Sequence, residues 1–251
     1  MNESEEKYAK LYNRLPEYVQ LRKRDGEVWE QYMGIVLHWK LKYLKELCVE
    51  LDYKSVLEVG CGTGDLLANF PAPGKVKKIG IDISTENIIA AKNSYPDISF
   101  YSGMAQDVFV TENIKGIDIG ILSDILEHVE DDSGLLKACG NVSKYVVLNL
   151  PIEKVPEYAN RVYGINDVQG HLRAYSIQDA IDMCERAGMK IVRYIEKKYV
   201  QEPIFRTYLF NKLVKKAEDP IKGLIKYNEE LLHIDLTPEY YKSIFFALLK
   251  K

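Results

Sequence analysis

No stretch of this 251-residue chain is apolar over a span long enough to cross a bilayer as a helix. The opening residues, Met1-Asn2-Glu3-Ser4-Glu5-Glu6, are acidic and hold no apolar core, so they do not read as a secretion signal. The four cysteines, Cys48, Cys61, Cys139 and Cys184, never fall at C-x-x-C spacing. That argues against a zinc ribbon or a disulfide frame and for reduced thiols in a cytoplasmic setting. Neither sign of charge is in excess: a net charge of −3 gives no electrostatic footprint for a nucleic-acid backbone. Internal repeats and low-complexity tracts are missing too. What remains is 47% hydrophobic and 28% charged, an ordinary globular balance, and the length suits one α/β domain with insertions.

Apolar spacing sets out the elements. Residues 4–14 read as a helix that Pro16 interrupts, and a second helix runs from about Glu27 to Leu51 on Val28, Tyr32, Val36, Trp39, Tyr43 and Leu47. Trp29, Tyr32 and Trp39 read first as core packing and second as a lid. Strands are expected at 55–60, 77–83, 98–102, 117–123 and 144–150. Helices are expected at 65–70, 85–95, 134–139 and 177–187. Short apolar strands alternating with helices argue for a parallel sheet covered on both faces. Lys190–Tyr199 and Tyr241–Leu249 add a sixth and a seventh strand. Between them an insertion at 203–238 carries Leu213, Ile221, Leu224, Ile225 and Leu231, which suggest helices.

The most telling segment is Val56-Leu57-Glu58-Val59-Gly60-Cys61-Gly62-Thr63-Gly64-Asp65. An apolar strand runs into a turn with glycine at every second position, followed by a helix-compatible stretch. Such a turn lets a ligand approach the backbone, and the helix start offers free N–H groups to an acidic ligand group. Downstream, Gly80-Ile81-Asp82-Ile83 is a second apolar run with an acid at its tip, placed to bind the hydroxyls of a ribose. The dinucleotide fingerprint G-x-G-x-x-G fails, because Asp65 stands where its third glycine belongs.

The E-x-G-x-G-x-G form resembles the first motif of class I S-adenosylmethionine (SAM)-dependent methyltransferases. The resemblance covers roughly residues 50–200 and the last strand. It implies a seven-stranded Rossmann-like sheet, mostly parallel, with helices on both faces and the last strand antiparallel between the fifth and sixth. It implies one domain over 1–251: an N-terminal helical lid at 1–51, a SAM-binding core at 52–200, an insertion at 201–240 capping the acceptor, and a last strand at 241–251. By this resemblance Gly60, Gly62 and Gly64 lie under the methionine part of the cofactor, and Glu58 is the acid ahead of the glycines. Asp82 holds the ribose and Ile83 packs on the adenine. In Gly103-Met104-Ala105, Met104 replaces the acid the family often places at the adenine, so a thioether packs against the ring there. Asp107 either supplies the missing polar contact or caps the next turn.

The segment Ile121-Leu122-Ser123-Asp124-Ile125-Leu126-Glu127-His128-Val129-Glu130-Asp131 resembles the LEHV segment after the fourth strand of many small-molecule methyltransferases. Ser123 leaves the strand tip beside the cofactor. A helix starting near Asp124 puts Asp124, Glu127 and His128 on one face. His171, in Gly170-His171-Leu172-Arg173, belongs to a second segment common in the family, where it borders the acceptor site. Three readings stand for these four residues. The first is a divalent metal site for magnesium or manganese, which resembles metal-dependent O-methyltransferases. The second is a metal-free site with His128 or His171 as general base. The third is a structural role, with acids at a helix start and hydrogen-bonded histidines.

An acid-rich, histidine-bearing turn favours oxygen over nitrogen as the methyl acceptor, since an alcohol needs a base or a metal and a neutral amine does not. The expected partner is a small molecule. Candidate walls of its pocket are Pro151–Gly170, with Tyr158, Tyr163 and Asn166, and the insertion, with Phe205, Arg206, Tyr208 and His233. N-methylation of a small amine or heterocycle, and SAM binding without methyl transfer, remain as the other two functions. No feature of the sequence fixes an oligomeric state.

Overall fold

The computed structural model describes residues 26–164, 167, 169–198, 200, 202–236 and 241–251. The expected helix at 4–14, its break at Pro16, and residues Asn166 and Tyr199 lie outside them, as do the side chains of Val28, Trp29 and Tyr32.

Seven strands form one sheet: β1 (Ser55–Val59), β2 (Lys77–Asp82), β3 (Ser99–Ser102), β4 (Ile117–Ser123), β5 (Ser143–Ile152), β6 (Lys190–Lys198) and β7 (Ser243–Lys250). Their order is β3-β2-β1-β4-β5-β7-β6. The first five pair in parallel, and β7 runs antiparallel to both β5 and β6. The expected fold is therefore the observed one, down to the position of the reversed strand. The central strands are apolar on both faces because both faces are covered. Val146 to Ile152 and Ser243 to Leu249 are buried without a break.

The covering helices are α1 (Gly26–Cys48), α2 (Asp65–Asn69), α3 (Thr85–Ser94), α4 (Ala105–Thr111), α5 (Asp132–Val142) and α6 (Ile177–Arg186). Their starts follow local chemistry. The Ser84 hydroxyl accepts the Asn87 N–H at α3, Asp131 accepts the Gly134 N–H at α5, and Ser176 and Asp179 form a reciprocal capping box at α6. Helix α4 is absent from the sequence reading. Its N-cap, Met104, offers no side-chain bond, and the helix spans only 105–111. Asp107 neither caps it nor turns inward; it is exposed in the first turn, where a negative charge suits the helix dipole.

Two apolar clusters fill the two faces of the sheet. Phe245 packs in one and its neighbour Phe246 in the other, as alternation along a strand requires. On the Phe246 side, α1 brings Trp39 and Tyr43 edge-on and tilted against that ring, with centroids 5.3 and 5.2 Å away. Trp39 is thus core. The insertion folds as α7 (Pro203–Phe210), a π-helical turn at Asn211–Lys215 and α8 (Pro220–Leu236), with its own small core of Val200, Leu209, Ile234 and Tyr241. The helices are where the apolar spacing put them. Ile221, Leu224 and Ile225, however, face outward, and Tyr227, Leu231 and Ile234 make the buried side. Arg206 is paired with Asp235.

Candidate active site at the carboxyl edge of the sheet

The glycine turn closes on β2. The Gly60 and Cys61 N–H groups both donate to the Ile81 carbonyl, at 2.8 and 3.0 Å. All three glycines of the turn have positive φ, and the two outer ones are also crowded. A Cβ on Gly60 would lie 2.8 Å from Ile125 Cδ1, and one on Gly64 would lie 2.7 Å from Phe100 Cζ. Gly62 differs: a Cβ there would meet nothing within 4 Å, so the space above it is open to a ligand. Its N–H donates to Asp82 Oδ2 at 2.7 Å, and Ser84 N–H donates to Oδ1 at 2.8 Å. A carboxylate has about four acceptor positions, so Asp82 keeps room for ribose hydroxyls after these bonds. Burial pushes its carboxyl upward, and the Ser84 and Gly62 N–H groups pull back without cancelling the shift.

The other residues expected to contact the cofactor lie in the loop after β2, at the helix start after β3 and at the tip of β4. Ile83 and Met104 are half-buried, Ala105 is buried, and the buried Ser123 hydroxyl accepts a 2.8 Å bond from Asn149 Nδ2. Glu58 is buried beneath the turn. Burial raises its carboxyl to about 8, against the opposing pull of Lys40 and the Leu67 N–H. Its Oε2 has no hydrogen-bond partner among the described residues.

At the tip of β4 the structure corrects the sequence reading. No helix starts at Asp124. That residue takes a left-handed conformation, φ 49°, and only one 3-10 turn follows, Leu126–His128. The shared helix face of Asp124, Glu127 and His128 is therefore lost. Asp124 turns instead to Lys40 of α1, forming a hydrogen-bonded ion pair, and accepts a 3.0 Å bond from Asn149 Nδ2. Burial works to raise the Asp124 carboxyl, but the Lys40 charge and hydrogen bond outweigh it and hold it below its usual value.

Glu127, His128 and His171 do meet. One potential ligand atom from each lies within 4.8 Å of the others. The two imidazoles stand edge to face with centroids 4.7 Å apart. His128 Nδ1 is 3.0 Å from the Gly170 carbonyl oxygen, which can only accept, so Nδ1 carries the proton. Its Nε2 lies 3.8 Å from Glu127 Oε1. Burial, then the neighbouring His171, lower the His128 pKa to about 4, so the ring is neutral near pH 7. Glu127 is 1% exposed, and neither of its oxygens has a hydrogen-bond partner among the described residues. Burial and then the Asp124 charge raise its carboxyl well above the usual range.

This cluster sits beside the crevice. β1 and β4 are neighbours with Val59 opposite Leu122, and Ile125 rests over Gly60. Residues that the sequence reading missed complete it. Lys40 sits in the apolar stripe of α1, where a lone lysine among Val36, Trp39, Tyr43 and Leu44 is a legible oddity. Glu153, Arg161 and Asp167 surround His171 and left no motif. Tyr158 and Tyr163, expected in the acceptor wall, line an open pocket of ≈410 Å³ with Glu153, Lys154 and Arg161. In the insertion, His233 Nδ1 is 2.7 Å from the Tyr241 hydroxyl.

A sheet reversed only at β7, with a glycine turn facing an acid at the tip of β2, defines the SAM-dependent methyltransferases of class I. The chain belongs to the methyltransferase-domain family, whose pattern matches residues 2–194. Among its relatives is a ubiquinone biosynthesis O-methyltransferase of Nitrosomonas europaea, 29% identical over 109 residues, covering 42% of this chain and 46% of that protein. A demethylmenaquinone methyltransferase of Chlorobaculum parvum is 24% identical over 132 residues, covering 49% and 55%. The chain thus spans about half the length of these curated relatives. Among solved structures, magnesium protoporphyrin IX methyltransferase from Synechocystis PCC 6803 with bound SAM superposes with TM-score 0.58 at 13% identity, over 100% of both chains.

Proposed function

We propose that this chain transfers the methyl group of SAM to a hydroxyl oxygen of a small molecule, and that Glu127, His128 and His171 activate that oxygen by holding a divalent cation. One observation carries the second half. A buried carboxyl with neither oxygen hydrogen-bonded among the described residues lies beside two imidazoles whose Nδ1 atoms are already committed. Such a group is costly to bury unless something positive completes it. The donor set fits: one carboxylate and two imidazole nitrogens suit a transition-row ion such as manganese better than magnesium, which prefers oxygen. Asp124 is within electrostatic reach but is committed to Lys40. Bound there, the ion would lower the pKa of an acceptor hydroxyl.

The chain's own residues supply the rest. The open space over Gly62 and the carboxylate of Asp82 seat the cofactor; Ile83, Met104 and Ala105 wall the adenine; the 3-10 turn brings the activating groups next to the glycine turn. The methyl of a sulfonium is already electrophilic, so alignment and exclusion of water are the main tasks left. The name of the Nitrosomonas relative supports oxygen as the acceptor atom. A metal-free second reading rests on the neutral His128: an uncharged imidazole with its Nε2 turned inward can act as general base. The division of the chain into lid, core, acceptor cap and closing strand belongs to the same proposal.

The test is calorimetric titration of Mn2+ into chelator-treated protein, followed by assay of S-adenosylhomocysteine release with a panel of phenols and vicinal diols. One bound ion, lost in Glu127→Gln, and turnover that returns with Mn2+ are expected. Turnover indifferent to chelator leaves the general base. Release with amines alone turns the assignment to nitrogen, and no release with any acceptor points to SAM binding without transfer.

A further inference from the structure

We infer that Glu153 is a positioning residue that fixes the proton of His171 on Nδ1 and so presents the Nε2 lone pair to the site. The inference deepens the reading above and rests on it for what His171 does.

Glu153 lies one residue beyond β5 and is 2% exposed. Its Oε2 is 2.8 Å from His171 Nδ1. Its Oε1 accepts from Arg161 Nη1 at 3.1 Å and has Lys242 Nζ at 3.8 Å. Arg161 grips Asp167 with two bonds of 2.7 Å. Asp167 Oδ1 accepts the His171 backbone N–H at 2.9 Å, which closes a ring of four residues. The backbone and the side chain of His171 are thus held by two carboxylates that one guanidinium ties together. Bidentate arginine–carboxylate contacts of this kind fix geometry as well as charge.

The consequence lies in the proton. An ionised carboxylate only accepts, so Nδ1 must donate, and in the neutral ring Nε2 is left with its lone pair. His128 reaches the same state through the Gly170 carbonyl. Two independent acceptors, one on each ring, therefore leave two Nε2 lone pairs in a cluster where one ligand atom from each of the three residues lies within 4.8 Å of the others. A carboxylate behind an imidazole is the usual support for a histidine that binds a metal or takes a proton.

The structure also says what an isosteric change would do. In Glu153→Gln the carbonyl oxygen must stay at the Oε1 position, because Arg161 and Lys242 bring only donors there. The amide NH2 then occupies the Oε2 position and donates to His171 Nδ1. That nitrogen must become an acceptor, and the proton moves to Nε2. The variant keeps its volume and its neighbours while inverting the tautomer.

Long-range proton–nitrogen NMR on metal-free protein labelled with 15N-histidine reads this directly near neutral pH. There are four histidines in the chain, and His171→Gln assigns the one needed. The wild-type spectrum should show the His171 proton on Nδ1 alone, and Glu153→Gln should show it on Nε2, with SAM affinity unchanged. Mn2+ affinity of the variant should fall about 10- to 100-fold. A wild-type proton on Nε2, or on both nitrogens, overturns the inference with no variant needed. So does an unchanged tautomer in Glu153→Gln. Failure of the wild type to bind Mn2+ overturns the metal and leaves the tautomer result standing.

Discussion

At the scale of the residue, Asp82 is the acid to which the proposed cofactor pose assigns the ribose. It also holds the Gly62 N–H. Asp82→Ala should weaken SAM binding at least about tenfold, each charge-assisted hydroxyl contact being worth roughly 1.5–3 kcal/mol. Calorimetry on the folded variant checks it; an unchanged Kd would mean the cofactor does not reach this acid. Histidine chemistry also changes on burial. The sequence suggests a titration near 6.5, as for free histidine, whereas His128 is held at about 4. Between those values the unfolded chain takes up a proton that the folded chain refuses. Stability therefore falls as pH drops through that window, by on the order of 3 kcal/mol. Glu58, raised to about 8, works the other way: the folded state keeps a proton the unfolded state releases, so stability declines as pH rises from about 4.5 to 8. Denaturant unfolding of metal-free protein should show the acid decline flattened in His128→Gln and the alkaline decline flattened in Glu58→Gln. The glycine turn, Asp82, Glu127, His128 and His171 were legible because each sits in a local motif. Glu153, Arg161 and Asp167 were not, since their link to His171 is made by folding the loop after β5 back on itself.

At the scale of the element, strands and long helices followed from apolar spacing, and the short turns did not. The segment after β4 has the composition of a helix start, yet the chain must first turn off the strand. Asp124 takes a left-handed conformation to do so, and only one 3-10 turn is left. Helix α4 escaped because seven residues with no side-chain cap give little pattern. Helix α1 was legible as a helix, but nothing in its own sequence says that Lys40 reaches Asp124 at the far edge of β4. The pair is partly exposed, with side chains at 17% and 35%, so its loss should cost less than that of a fully buried pair. Lys40→Met is expected to destabilise the protein by roughly 1–3 kcal/mol and to speed amide exchange in α1. Adding Asp124→Asn should restore part of the loss. Equal exchange rates in α1 for Lys40→Met and wild type would show that the pair does not dock the helix.

At the scale of the whole molecule, β7 joins what the two halves of the sheet cannot join alone. It pairs with β5 along Ser243–Lys250 and with β6 along the same residues. Phe246 is fully buried and meets both Trp39 and Tyr43 of α1. Phe246→Ala should cost about 3–5 kcal/mol in denaturant unfolding. It should also loosen α1, since both aromatic contacts go at once. A loss under about 1 kcal/mol would mean the cavity collapses freely.

The placement of β7 also has a consequence in time. β6 is made before β7, the one strand it pairs with among the described residues, and the whole insertion lies between them. Until β7 arrives, β5 and β6 both offer bare edges to a gap one strand wide. Any passing strand of the right pattern can enter that gap, and the nearest supply at high concentration is another copy of the same protein. Lys190, Arg193, Glu196, Lys197 and Lys198 make β6 a charged and unwelcoming edge while it waits. β5 has no such guard over Val146–Ile152. A refolding protein held at high concentration should therefore trade its last strand between chains, and the crevice formed by β1 to β4 should be complete in the exchanged dimer.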